Sequence, residues 1–169
     1  MTVLVPRPAS ACRRGFSHVE VLVSTLIVGI MLVSATNLLG GVVRSRAVSG
    51  NTARAVLLAQ EMMCEIAGVS YVEATGPQFG PEAAENTGNR SLFDDVDDYN
   101  GWTESPLKTR DNATLANTTG WTRSVAVAWV DPAAPSTTVG SDQGVKRVTI
   151  TVQSNGQTLA RLSALRTSL

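Results

Sequence analysis

The sequence predicts an α+β protein in which one long N-terminal helix carries a small antiparallel β-sheet on its outer half. Three observations support this fold. An uncharged run covers 21–43, and apolar residues then recur at helical spacing as far as Ala67. Beyond residue 120, apolar and polar residues alternate as in half-buried strands, and Ser154-Asn155-Gly156 separates the last two of these strands. The residues that follow the apolar run are enough for one small domain and too few for two.

The uncharged run is long enough to cross a membrane. With a rise of about 1.5 Å per helical residue, 21–43 would reach about 35 Å, against about 30 Å for the hydrocarbon core of a bilayer. A single carboxylate, Glu20, lies immediately before this run and opposes membrane insertion unless a positively charged group pairs with it. The alternative is an ordinary secretory signal that is cleaved after Val33-Ser34-Ala35. Such a signal would leave Glu20 without a function.

The residues before the run explain the carboxylate. Cleavage between Gly15 and Phe16 would expose an α-amino group four residues before Glu20, on the same helical face. Arg13-Arg14-Gly15 followed by Phe16-Ser17-His18-Val19-Glu20-Val21-Leu22 resembles the class III leader of type IV prepilins and type II secretion pseudopilins. The resemblance implies that prepilin peptidase cuts after Gly15 and N-methylates Phe16. It also implies that the helix is kept, first as an anchor and then as the packed core of a filament in which Glu20 directs assembly.

Three further positions bear on this resemblance. Gly29 falls where many members of the family have glycine, whereas His18 replaces a usually apolar residue. Asn37 stands where major pilins often have proline, which favours a minor subunit. The function implied is a minor pilin or pseudopilin, a structural component or assembly initiator of a type IV pilus or a type II secretion-like filament.

The resemblance also implies a location and partners. The chain would be a single-pass protein of the bacterial inner membrane with its head in the periplasm, and part of an extracellular or periplasmic filament after assembly. Its partners would be prepilin peptidase, other pilin or pseudopilin subunits, an inner-membrane assembly platform and membrane lipid.

Charge and cysteine content limit the partners and the disulfides that the mature chain can have. Loss of a leader at 1–15 removes three arginines, so 14 basic and 14 acidic side chains become 11 and 14. The mature chain is mildly acidic, and we expect no nucleic-acid partner. Cys12 lies in the leader, so no intramolecular disulfide can form afterwards, and we expect Cys64 to be buried as a small apolar residue. The mature chain divides into a transmembrane and assembly helix (16–43), the outer half of that helix (44–75) and the head (76–169).

The outer half of the helix shows one apolar stripe. A helix is predicted from about Phe16 to Ala67, with Gly68 as its stop. The weak points are Thr36-Asn37 and Gly40-Gly41, where low helix propensity could allow local unwinding, or where small residues could permit close helix packing. The predicted inner stripe consists of Val48, Thr52, Ala55, Val56, Ala59, Met63 and Ile66, with Arg54, Glu61 and Glu65 on the other side.

A loop-rich region from Gly76 to Thr119 contains an acidic motif. Its sequence is Leu92-Phe93-Asp94-Asp95-Val96-Asp97-Asp98-Tyr99-Asn100-Gly101-Trp102. The aromatic residues are expected to pin the loop to the domain while the carboxylates face outward or cap backbone amides. With the helix end 59–66, this motif resembles the minor pilins of the mannose-sensitive haemagglutinin pilus, the MshD-like group.

The four aspartates of the motif are also candidate calcium ligands. Asp94, Asp95, Asp97 and Asp98 supply hard oxygen atoms, and calcium takes about six to eight of these. The spacing is not that of an EF-hand, because Tyr99 occupies a ligand position and no glutamate closes the loop. The four aspartates are therefore expected either to bind calcium or to be solvated or cap backbone amides. No other cofactor is expected.

The strands follow the acidic motif. Alternation predicts a strand over 122–130 and a hairpin of 145–153 with 157–166. A three-residue loop with Gly156 in the left-handed conformation would pair Val148 with Leu162, and Val152 with Thr158. A two-residue Asn155-Gly156 turn would instead set Val148 against Ser163. We favour the first register because it keeps apolar side chains together.

Two other classes of function were weighed. A hydrolase is disfavoured because His18, the only histidine, sits at the membrane edge, so no triad can form in the head. Carboxylates of the acidic motif with Glu104 are expected to be clustered and exposed, without the burial that separates a general acid from a base. A membrane-anchored periplasmic binding module that never polymerises remains the alternative to a filament subunit.

Overall fold

The computed structural model describes Gly15, 17–73 and 78–168. Most of the predicted leader, and the predicted methylation site Phe16, lie outside these residues. Two compact units meet between Arg46 and Ala47. The predicted long helix is confirmed: α1 spans His18–Ala67, 50 residues. It continues without a break through 36–41, so the proposed local unwinding is not observed.

The first unit is an apolar segment of α1. This helix is long and apolar enough to cross a membrane, and no residue of its apolar window is buried. Leu22 and Leu38 expose 68% and 71% of their surface. Thr25, Ser34 and Thr36 turn their hydroxyl groups back to helix carbonyls, which satisfies these groups without water.

The second unit starts with the outer half of α1, whose buried face differs from the predicted stripe. Ala55, Ala59 and Ile66 are buried as expected, whereas Val48, Thr52 and Val56 are exposed. The true stripe adds Leu58 and Met62. Glu65, which was predicted on the other side, instead turns inward to an arginine of the head. The prediction for Cys64 was wrong, since it is exposed on the opposite side.

Five antiparallel strands form one sheet in the head. They are β1 Thr103–Glu104, β2 Trp121–Asp131, β3 Ala134–Thr138, β4 Val145–Ser154 and β5 Gln157–Thr167. Their order is β1-β2-β4-β5, with β3 paired to the end of β2. Inward-facing Val125, Val127, Val148, Ile150 and Val152 join the buried face of α1 in a single core.

The β4–β5 hairpin has a register that neither prediction gave. The turn is the two-residue Asn155-Gly156, and both residues have positive φ, as a type I′ turn requires. A bulge at Leu159 then shifts the pairing by one residue, so Val152 pairs with Ala160 and Ile150 with Leu162. The bulge reconciles the Asn-Gly turn with apolar pairing and lets adjacent residues of β5 contact the core.

The strand β5 forms an open edge of the sheet. It pairs with β4 on one side. Among the described residues, no backbone group of β5 forms a hydrogen bond on the other side. The edge therefore presents a row of unpaired N–H and C=O groups.

Candidate functional site

Two parts of the chain carry chemistry, and the first is the beginning of α1. Gly15 is exposed before the helix begins, and Glu20 is exposed in the first turn. A carboxylate in a first helical turn interacts favourably with the unpaired amides there. The main-chain amide of Val21 donates to the carbonyl of Ser17 at 3.2 Å, so the helical geometry already includes Ser17. Phe16 lies outside the described residues.

The acidic motif is the second part, and its aromatic residues pin it as predicted. Phe93 and Tyr99 are buried, with ring centroids 5.0 Å apart, and Trp102 packs edge-on against Phe93 at 5.5 Å. The loop is also bonded to β2, because Asn100 Oδ1 accepts the amide of Val127 at 3.0 Å.

Two of the four aspartates cap backbone amides. Asp98 Oδ2 accepts the amides of Asp94 and Asp95, each at 3.0 Å. Asp95 Oδ1 accepts the amides of Asp97 and Asp98 at 2.7 and 3.2 Å. Burial raises the pKa of Asp95 to about 7. The neighbouring carboxylates of Asp97 and Asp98 also raise this pKa, whereas the hydrogen bond from the Asp97 amide lowers it. These two aspartates hold the loop in shape. The expectation of exposed acids was wrong for Asp95, Asp97, Asp98 and Glu104, all of which are buried, and of the four aspartates only Asp94 is exposed.

The other two aspartates have separate surroundings. Asp97 pairs with the buried ammonium group of Lys146, which also donates to the carbonyl of Tyr71. Asp94 is exposed and lies beside glutamates from other parts of the loop region. The structure therefore does not bring all four aspartates to one point.

A different set of carboxylates converges, and the sequence analysis missed three of its members. Oxygen atoms of Glu73, Glu85 and Asp94 lie within 4.8 Å of one another, as do those of Glu82, Glu85 and Asp98. Burial raises the pKa of Glu85 to about 8, with further contributions from Glu82 and Asp98. Their oxygen atoms match the donors that a hard cation such as calcium prefers. We call these five residues the acidic surface.

A buried ionic network joins the head to α1, and it too was not predicted. Arg123 Nε donates to Glu104 Oε1 at 2.8 Å, and its Nη2 donates to the carbonyl of Lys108 at 2.9 Å. Arg90 bonds the other oxygen of Glu104 and reaches Glu65 at 3.1 Å. The alternation along the strands could have revealed these buried charges. Arg123 occupies an inward-facing position of β2, and Lys146 occupies an inward-facing position of β4.

Comparison of the chain with protein-family models, with curated proteins and with solved structures found no match. What the structure establishes is an α+β protein. It has one long apolar N-terminal helix and a small antiparallel sheet packed on the outer part of that helix.

Proposed function

We propose that the chain is a minor pilin or pseudopilin, a structural component or assembly initiator of a type IV pilus or a type II secretion-like filament. The observation that carries the proposal is the order of features at one end of α1. Arg13-Arg14-Gly15-Phe16 precedes a single carboxylate, Glu20, and then an apolar helical surface of which nothing is buried.

The exposed apolar surface needs a covering. Lipid covers it while the chain is a single-pass protein of the bacterial inner membrane with its head in the periplasm. In a filament the helices of neighbouring subunits take the place of lipid, and close packing supplies most of the attraction. Residues such as Gly29 and Gly40 have no atom within 4 Å of an added Cβ, so neighbouring backbones can approach them.

The role of Glu20 follows from burial among these helices. A bare carboxylate there would lose its hydration, and the α-amino group of a neighbouring Phe16 can replace that hydration with an ion pair. N-methylation keeps the positive charge of the amine. The pair therefore fixes the height at which a subunit enters the filament.

The partners in this proposal are prepilin peptidase, other pilin or pseudopilin subunits, an inner-membrane assembly platform and lipid. The competing function is an anchored periplasmic binding module that does not polymerise. The two functions differ in what they require of Glu20, because an anchor alone gains nothing from a carboxylate at the edge of its apolar segment.

The test replaces Glu20 with leucine in the full chain. Glu20→Leu should insert into the membrane and be cut after Gly15 as the wild type is, yet be missing from sheared pilus or pseudopilus fractions. Glu61→Leu is the matched control, since Glu61 is a half-exposed carboxylate of the same helix, and it should be incorporated. Normal incorporation of Glu20→Leu would overturn the assembly role of Glu20 and favour a local contact between Glu20 and the Phe16 amine of the same chain. Absence of the wild-type chain from these fractions would favour the non-polymerising anchor.

A further inference from the structure

The outer face of the head sheet contains an open groove with a volume of about 380 Å³. Its floor is made of small residues of three strands, because Thr149 in β4 pairs with Ala126 in β2 and with Ser163 in β5. Arg147 and Arg161 line the same groove. The groove therefore combines a shallow floor, which another chain can approach closely, with two long cationic side chains.

Neither arginine has a carboxylate partner within the part of the chain that the structure describes. Arg147 Nη1 donates to the carbonyls of Pro135 and Ser136 at 2.9 and 3.0 Å, which position the guanidinium without neutralising it. The side chain of Arg161 is exposed and forms no hydrogen bond or ion pair among the described residues. The sequence from Gln143 onward contains four basic and no acidic residues. Two of these basic residues, Arg147 and Arg161, line the groove, and no acidic residue lines it.

The same head carries the complementary charge elsewhere. Glu73, Glu82, Glu85 and Asp94 of the acidic surface have no basic side chain within 4.0 Å among the described residues. Asp94 is exposed, and the three glutamates are partly exposed. One head therefore presents an unpaired cationic groove and, on a different surface, carboxyl groups without basic partners, of which Asp94 is exposed.

We propose that the groove between Arg147 and Arg161 receives carboxylates of the acidic surface of a second copy of this chain. The contact is heterologous, since two different surfaces meet, so it can be repeated from subunit to subunit. This proposal rests on the proposed filament function and specifies how the heads meet. Exposed charge pairs orient the two heads more than they raise the affinity between them. The packed apolar helices supply the high local concentration under which such a contact forms.

Cross-linking in membranes tests the contact with the full chain. Cys12 and Cys64 are replaced by serine, Ser163→Cys is placed in the groove of one tagged copy, and Asn86→Cys beside the acidic surface of another. Oxidation should join the two tagged copies. Arg147→Glu with Arg161→Glu in the first copy should reduce this product by about tenfold. Glu82→Arg with Glu85→Arg in the second copy should restore it.

The controls separate this contact from folding and from the filament proposal. Lys108→Glu reverses a charge whose ammonium group bonds only the side chain of Asn112 among the described residues, and it should leave the product unchanged. Tryptophan fluorescence of each variant checks the fold. A product insensitive to the arginine reversals, or no product between copies, overturns the proposal. Loss of filament incorporation without cross-linking between copies would assign the groove to a different anionic subunit. The filament function itself is tested separately, by whether the wild-type chain and Glu61→Leu are found in sheared pilus or pseudopilus fractions.

Discussion

Arg123 and Glu104 form an ion pair in the core of the head, where neither side chain exposes more than 2% of its surface. Arg123 Nη1 also donates to the carbonyl of Leu58 in α1, at 2.9 Å. Because Arg90 bonds the second carboxylate oxygen, this one acid is shared by two buried guanidinium groups. The pair therefore ties the helix to the sheet through charges that have no access to water.

Removal of this acid should destabilise the head strongly. Glu104→Ala leaves two buried arginines without their shared partner, and we expect the free energy of unfolding to fall by about 3–5 kcal/mol. Denaturant unfolding followed by tryptophan fluorescence measures it. Glu61→Ala is the control: Glu61 is half-exposed and 3.9 Å from Arg123, so its removal should cost less than about 1 kcal/mol. Equal effects of the two variants would contradict a structural role for the network.

The acidic surface should make stability depend on pH. Burial and neighbouring acids raise the pKa of Glu85 from 4.5 to about 8 in the folded head. A raised pKa stabilises the folded state below pH about 4.5, and this contribution is lost as pH rises towards about 8. The melting temperature of Glu85→Gln should therefore fall less than that of the wild type between pH 5 and pH 8.5. Asp111→Asn, at an exposed position, should behave as the wild type, and parallel curves for all three proteins would refute the assignment.

The effect of calcium on the melting temperature is a second measurement on the acidic motif and the acidic surface. Asp95 and Asp98 are already satisfied by backbone amides, so the loop has its shape without an ion. We therefore expect a chelator to leave the melting temperature at neutral pH unchanged. A rise that grows with calcium concentration, and that Glu85→Gln abolishes, would instead place an ion at the acidic surface.

Processing can be read directly from the mature N-terminus. We expect N-terminal sequencing to begin at Phe16, because Glu20 then gains an amine four residues away. Gly15→Leu should leave the leader attached and keep the chain in the inner membrane. Gly29→Leu changes a glycine of the same chain at a distance from the cut and should be processed. A mature chain beginning at Thr36 would restore the ordinary secretory interpretation.

Periodicity alone predicted the helix and the strands well. The long helix, the strand around Val125 and the final hairpin are local patterns, and the structure confirms each of them. The face of the outer helix was predicted less well, because Val56 and Cys64 resemble core residues while Glu65 is held inward by Arg90. Hydropathy could not anticipate an inward carboxylate whose partner lies 25 residues away.

The hairpin and the acidic motif show two further limits. Both hairpin registers assumed unbroken pairing, and the bulge at Leu159 depends on how the completed core accepts that side chain. Amide capping by Asp95 and Asp98 was one of the expected roles, because it needs only nearby residues. The approach of Glu73, Glu82 and Glu85 depends on how the loop folds, so the spacing of the aspartates did not reveal it.

The open edge of β5 has a consequence for contacts between two copies of the head. Unpaired strand backbone invites the same edge of another copy to pair with it, which would join sheets in an unproductive dimer. Arg161 and Arg166 lie on this strand and no acid does, so pairing of β5 with the same strand of another copy brings together only like charges. The bulge at Leu159 further bends the edge away from a straight partner. Direct pairing of two heads through β5 is therefore disfavoured, and contacts between copies depend on other surfaces.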